Sequence, residues 1–204
     1  MWWGIAIHRY LEYCYTKGRP EALRYIRTKF SRMYNTCRRI PVHLLAKDAE
    51  VEIAWAYNSA TQEVRRVKYP TRPNTHEWYA RVDWLGEKGG LPHVVDWKTG
   101  MAEGVTPVGH AQLMSIACAA RAEAGTREAY ASIVAIPSSG HLLWRTVRYS
   151  GALLDEFDAR CTKLQADVTE DRRRLRVYDT VPPFLRGATC EWCAIKPVCP
   201  AWNK

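Results

Sequence analysis

Two apolar stretches, Glu77–Leu85 and Pro92–Thr99, are joined by Gly86-Glu87-Lys88-Gly89-Gly90, and each carries a carboxylate within it. Strand-like runs on either side of a Gly-rich turn predict an antiparallel hairpin. Side chains alternate across a strand, so Val94, Asp96 and Lys98 are expected on one face of the second strand. On the first strand, Tyr79, Arg81 and Asp83 are expected on one face, with Ala80, Val82 and Trp84 opposite. Pairing the strands then brings Asp83, Asp96 and Lys98 together. Two carboxylates set in apolar strands cost free energy unless their charge is compensated. A divalent cation such as Mg²⁺ or Mn²⁺ does this with oxygen ligands and leaves positions for water and phosphate. A lysine beside it can stabilise an anionic transition state or position the attacking water. The simpler alternative is a cross-strand salt bridge between Asp83 and Lys98. The two carboxylates, the lysine and the Gly100 turn together favour the site.

The rest of the chain frames this hairpin. A first helix is predicted from about Trp2 to Lys17, with Gly4, Ile7, His8, Leu11 and Tyr15 on one face and Gly18 as its stop. Pro20 opens a second, basic helix running to about Arg38. Val51–Tyr57 reads as a strand, followed by a polar stretch to Asn74. Thr106-Pro107 is expected to cap a helix ending near Gly125. Strands at Glu128–Ile136 and His141–Tyr149 flank Pro137-Ser138-Ser139-Gly140, and Ser150 caps a long helix to about Leu175. Helices, three strands, helix, two strands and helix make an α/β sheet domain, not a Rossmann repeat.

With 204 residues the chain is long enough for one domain with a full core and a small appendage. No apolar run approaches the roughly 20 residues needed to cross a bilayer. The start, Met1-Trp2-Trp3-Gly4, lacks the features of a signal peptide, so a cytoplasmic protein is expected. The net charge is +9, with clusters at Arg38-Arg39, at Arg65-Arg66 with Lys68, and at Arg172-Arg173-Arg174 with Arg176. Each alone reads as a solvated helix face; their sum suggests a polyanionic partner such as nucleic acid. Among nine Trp and eleven Tyr, most of them expected in the core, some could stack on unpaired bases.

Ala80-Arg81-Val82-Asp83, Val94-Val95-Asp96-Trp97-Lys98-Thr99-Gly100 and Gln112-Leu113 resemble the successive motifs of the PD-(D/E)XK nuclease superfamily. The Lys-Thr-Gly ending resembles its RecB-like branch, which takes in RecB and AddB nuclease domains and CRISPR-adaptation exonucleases of the Cas-four type. Gly4-Ile5-Ala6-Ile7-His8-Arg9-Tyr10-Leu11-Glu12 resembles the branch's helical G-x-x-x-H-x-x-L-E motif, and Glu50 an acidic residue found at the start of the first strand. On spacing alone, His8 reads as a core histidine; the resemblance makes it a metal ligand. It implies a restriction-endonuclease-like core, with a mixed central sheet flanked by helices, over residues 1–182. His8, Asp83, Asp96 and the Trp97 carbonyl would hold Mg²⁺ or Mn²⁺, Lys98 would be the catalytic lysine, and Gln112 would orient it or the substrate. The implied activity is exonucleolytic hydrolysis of DNA, single-stranded or at ends. The alternatives are an endonuclease of the same fold and a catalytically silent nucleic-acid-binding subunit, whose expected signature, loss of the Asp, Asp or Lys, is missing. Recombination or CRISPR-adaptation proteins are the implied partners, with no membrane. Ala80 departs from the branch's usual Gly, and Ile116 from its frequent Tyr.

The seven cysteines argue for metal or cluster ligation over disulfides. Cys190, Cys193 and Cys199 form a C-x₂-C-x₅-C-P array in a tail module over residues 183–204. Three thiolates so close, with Pro200 after the last, fit soft-metal or iron–sulfur ligation, and a zinc ribbon would want a second pair. The array resembles three ligands of the [4Fe–4S] cluster found in iron–sulfur members of the branch, where the cluster is structural. The fourth ligand is then expected from Cys14, from Cys37 or from upstream of Met1. Zinc, or no metal, remains open at this site. Cys118 and Cys161 fall in helical patterns and read as core.

Overall fold

The computed structural model describes residues 2–42, 49–68, 74, 76–99, 106–136 and 142–178. Helix α1 (Trp2–Thr16) ends at Gly18, whose φ of 83° needs a residue without a Cβ. Helix α2 (Arg19–Lys29) follows, with Pro20 in its first turn, where a missing N–H costs nothing. The expected single helix to Arg38 is broken. Phe30 leaves helical geometry at φ −139°, its ring 6.0 Å from Tyr25, and a 3-10 turn (Ser31–Met33) leads to helix α3 (Tyr34–Arg39). Docking an aromatic ring outweighs a helix propensity that Thr28, Phe30 and Ser31 support only weakly.

Strand β1 (Glu50–Tyr57) pairs antiparallel with β2 (Val64–Arg66) and with β3 (Trp78–Lys88). β2 falls within the polar stretch to Asn74, where no strand was expected. Three residues are too short for a periodic signal, and ion pairs from Arg65 to Glu77 and from Arg66 to Glu50 accompany its pairing. Strand β4 (Leu91–Thr99) completes the hairpin through a tighter turn than expected. Gly86, Glu87 and Lys88 remain paired, leaving only Gly89 and Gly90, both at positive φ, which suits the twist of a two-residue hairpin. Helix α4 (Ala111–Ala124) crosses over to β5 (Ala129–Ile136), the one strand parallel to its neighbour β4 in the described sheet. Its N-cap is His110, whose Nδ1 accepts the Leu113 N–H at 3.4 Å, whereas Thr106-Pro107 forms the turn before it. Gly125 closes the helix in the left-handed conformation, as expected. Strand β6 (Leu143–Tyr149) forms the last edge, and Ser150 Oγ accepts the Leu153 N–H at the start of helix α5 (Gly151–Tyr178).

The described sheet is mixed, in the order β2-β1-β3-β4-β5-β6. One face packs Trp55, Tyr57, Val82, Val94 and Ile133 against Leu113, Ile116 and Ala117 of α4 and Leu154 of α5. The other packs Trp84, Val95, Trp97, Val134 and Ile136 against Ile7, Tyr10, Leu11, Ile26 and Cys37 of α1–α3. This is the expected α/β architecture of a mixed sheet flanked by helices. The chain divides into two compact units, Met1–Cys161 and Thr162–Lys204. The first holds the sheet, α1–α4 and the start of α5; in the second, the described residues form the remainder of α5. The 182/183 boundary and the tail cysteines lie outside the described residues. No helix among those described is long and apolar enough to cross a membrane.

Simple alternation fails at one place, and that place is the centre of interest. Ile53, Trp55 and Tyr57 of β1 face the α4 side, while Val51 packs on the α1 side. Opposite them on β3, Ala80 and Val82 face α4, but Trp84 packs on the α1 side. The expected grouping of Ala80, Val82 and Trp84 on one face therefore breaks at Asp83. Glu52, its neighbour on β1, sits at φ 57°, a left-handed conformation costing an ordinary residue roughly 1–2 kcal/mol.

Candidate active site

The hairpin opens where the alternation breaks. Its ladder runs from Lys88↔Leu91 to Trp84↔Val95 and stops before Asp83 and Asp96, the next residues in register. Beyond it, Asp83 Oδ2 accepts the Trp97 N–H at 2.8 Å, so a side chain takes over a bond the neighbouring strand would have made. The separation leaves a cavity of about 570 Å³, lined by residues including His8, Glu52, Asp83, Asp96, Lys98 and Gln112.

Each side chain reaches it from a different element. Gly4 lets α1 approach β4 closely, since a Cβ there would lie 3.1 Å from Thr99 Oγ1. One turn on, His8 Nδ1 lies 3.3 Å from Asp83 Oδ1. Burial lowers the His8 pKa, but the hydrogen bond and charge of Asp83, the charge of Asp96 and the Trp97 backbone outweigh it, so the net shift is upward. On β4, Lys98 Nζ forms an ion pair with Asp96 Oδ2 at 2.7 Å. Gln112, from the first turn of α4, bridges the two: Lys98 Nζ donates to its Oε1 at 3.3 Å, and its Nε2 donates to Asp96 Oδ1 at 3.4 Å. Burial raises the Asp96 pKa, as does the neighbouring Asp83 charge, against the lowering effect of Lys98. The cross-strand salt bridge from Asp83 to Lys98, the simpler alternative to a site, does not form; the lysine pairs along its own strand with Asp96.

Glu52 was not among the expected site residues. Its carboxylate, His8 and Asp83 offer ligand atoms within 4.8 Å of one another. Glu50, the expected acidic residue, instead pairs with Arg66, which also binds Glu123, and lines a separate cavity. The signal lay in the repeat Glu50-Val51-Glu52, but strict alternation does not choose between two carboxylates of like parity. The left-handed turn at Glu52 brings the second one to the site, where Arg81 forms an ion pair with it.

These donors suit a divalent cation. One imidazole and two carboxylates converge, and the buried carboxylate of Asp96, ion-paired with Lys98, lines the same cavity. Cys14, a candidate cluster ligand, is half-buried in the packing of α1, and burial pushes its thiol up to about 11. Cys37 is fully buried, its thiol pushed up to about 12 by burial and by neighbouring Cys14. Cys118 and Cys161 are buried, as expected of core residues.

No curated protein matches the chain. A solved structure titled "Crystal structure of SSO0001" is similar at 15% identity and a TM-score of 0.41, over 96% of this chain and 81% of that one. The sequence profile of the PD-(D/E)XK nuclease superfamily matches residues 2–200. Nucleases of this superfamily hydrolyse nucleic acid in a metal-dependent reaction, typically with Mg²⁺ or Mn²⁺. The chain belongs to the PD-(D/E)XK nuclease superfamily.

Proposed function

We propose that the protein is a DNA exonuclease acting on single-stranded DNA or DNA ends, with its centre at His8, Glu52, Asp83, Asp96, Lys98 and Gln112. The observation that carries the reading is the opened end of the β3–β4 hairpin. There Asp96 lies beside Lys98, and His8 is 3.3 Å from Asp83. His8, Glu52, Asp83, Asp96 and the Trp97 carbonyl would hold Mg²⁺ or Mn²⁺. When bound, the cation supplies Lewis acidity toward phosphate and lowers the pKa of water.

Lys98 presents a positive charge at the mouth of the cavity, where it offsets negative charge developing on the phosphate. Gln112 limits its freedom by contacting both Lys98 and Asp96, so the ammonium is positioned before substrate arrives. The buried setting of Asp96 makes its charge costly until a cation compensates it. For the tail, the spacing of Cys190, Cys193 and Cys199 supports a [4Fe–4S] cluster with a structural role. Iron and acid-labile sulfide in anaerobically purified protein test this; stoichiometric zinc without sulfide overturns it.

End-labelled linear single-stranded DNA is expected to be degraded with Mn²⁺ or Mg²⁺ and to survive in chelator. Circular single-stranded DNA is expected to survive in both, and its cleavage would establish an endonuclease instead. Lys98→Ala is expected to abolish degradation while leaving the circular dichroism spectrum unchanged. Wild-type cleavage by both Lys98→Ala and Asp96→Ala refutes the site.

A further inference from the structure

The positive charge of this protein is concentrated in one layer. Residues 2–42 carry nine Lys and Arg against two Glu, a net +7, whereas the whole chain is +9. All nine cations, from Arg9 to Arg39, are exposed on α1–α3 and the turns between them. Two are neutralised within the layer, Arg9 by Glu12 and Arg24 by Glu21. Lys17, Arg19, Arg27, Lys29, Arg32, Arg38 and Arg39 have no carboxylate partner among the described residues. Arg19 instead donates to Tyr10 Oη and to the Arg38 carbonyl, tying the start of α2 to the end of α3.

Aromatic rings lie between these charges. Lys17 Nζ stands 4.7 Å from the Tyr13 ring centre, and Arg27 stands 5.1 Å from that of Tyr34. The Tyr13 and Tyr25 rings lie 4.5 Å apart, with Phe30 beyond, and all four aromatic residues pack on the core of this layer while remaining partly exposed. Ile5, Arg9 and Tyr13 recur at four-residue spacing along α1, and Lys17, whose N–H bonds the Tyr13 carbonyl in the turn that follows, continues the ridge. Its first two members line the active-site cavity, where Ile5 is 46% exposed. From Arg9 to Lys17 the ridge extends about 12 Å.

We infer that this α1–α3 face is the docking track for a single strand of DNA, running from the cavity along Arg9, Tyr13 and Lys17 onto the cations of α2, the following turn and α3. The inference rests on the nuclease reading for the direction of the strand, and adds where the strand lies and why it is single. Uncompensated cations recruit phosphates and release counterions, which any polyanion permits. Partly exposed rings among the cations favour unpaired bases, whose faces a duplex keeps stacked. An acidic protein would satisfy the charges but has no use for rings spaced between them.

Binding of a fluorescent oligo(dT) in EDTA isolates docking from hydrolysis. Seven engaged cations give a log K against log [salt] slope of about −5, a loss of about 10³ in affinity from 50 to 200 mM salt. Lys17→Gln/Arg27→Gln/Arg32→Gln is expected to reduce the slope by about 2 and weaken binding about 100-fold at 0.1 M salt. Each single substitution is expected to reduce the slope by about 0.7, so the result does not depend on the triple variant folding. Arg127→Gln/Arg148→Gln/Arg160→Gln removes as much charge elsewhere and is expected to leave the slope unchanged. Blunt duplex of the same length is expected to bind at least about tenfold more weakly. Equal losses in the two triple variants, or duplex binding as tight as single strand, overturn the proposal. Failure of the wild type to cleave with Mn²⁺ refutes the nuclease reading while leaving these binding results to stand or fall separately.

Discussion

Glu52 joins an unfavourable backbone to a useful side chain, and two substitutions separate them. At φ 57° an ordinary residue is strained by roughly 1–2 kcal/mol, a cost glycine avoids. Glycine has more freedom to lose on folding, which returns about 0.5–1 kcal/mol of the gain. Glu52→Gly is therefore expected to be about 0.5–1 kcal/mol more stable than Glu52→Ala, although both lack the carboxylate and its ion pair with Arg81. In a domain of this size that is a difference of roughly 1–4 °C in Tm. Both should share one functional defect, a smaller stabilisation by Mn²⁺. If wild type is saturated 100-fold over its Kd, the cation adds about 2.7 kcal/mol, and a 30-fold weaker site retains about 0.9 kcal/mol. Thermal melts by circular dichroism, with EDTA and with fixed Mn²⁺, measure both effects. An alanine variant as stable as the glycine variant refutes the backbone argument. Undiminished Mn²⁺ stabilisation in both refutes the assignment of Glu52 as a ligand.

Two further predictions concern buried polar groups away from the cavity. Arg121 is buried and lies 2.8 Å from Asp158 Oδ2, which also accepts the Tyr57 hydroxyl at 2.7 Å. Arg121→Met leaves Asp158 buried beside Tyr57 and is expected to cost about 3–5 kcal/mol in urea unfolding, whereas adding Asp158→Leu should recover most of that loss. A double variant no more stable than the single one contradicts this account. His93 is buried, its Nε2 2.7 Å from Ser132 Oγ, and burial followed by the charge of Lys88 lowers its pKa from 6.5 to about 4. As pH falls from 6.5 to 4 the unfolded chain gains a proton that the native state resists, so stability falls by about 3 kcal/mol across that window. Stability of His93→Gln is expected to fall less over the same range, and identical pH profiles from urea titrations would rule the effect out.

Much of the local framework was legible from residue type and spacing. Gly18, Gly125 and the pair Gly89-Gly90 mark left-handed positions, and Ser150 marks a helix start, because these depend on one residue's conformational freedom or one side chain's reach. The Asp83, Asp96 and Lys98 set stood out because charged groups inside apolar strands require an explanation. Other features were not legible. Phe30 breaks a helix by docking on Tyr25, and His110 replaces Thr106 as a cap because a turn intervenes. β2 is too short to carry a periodic pattern.

The choice of Glu52 over Glu50 illustrates the division most clearly. Residue pattern by itself determined an α/β sheet domain, the hairpin and the chemical character of its centre, since composition, periodicity and turn residues act locally; the mixed sheet flanked by helices was what the family resemblance implied. Only the tertiary structure decided that alternation reverses at Glu52 and Asp83, that the strands part before Asp96, and that a helix begun near Gly4 sets His8 against Asp83. A left-handed glutamate is locally unfavourable, and it persists because packing on both faces of the sheet outweighs its strain.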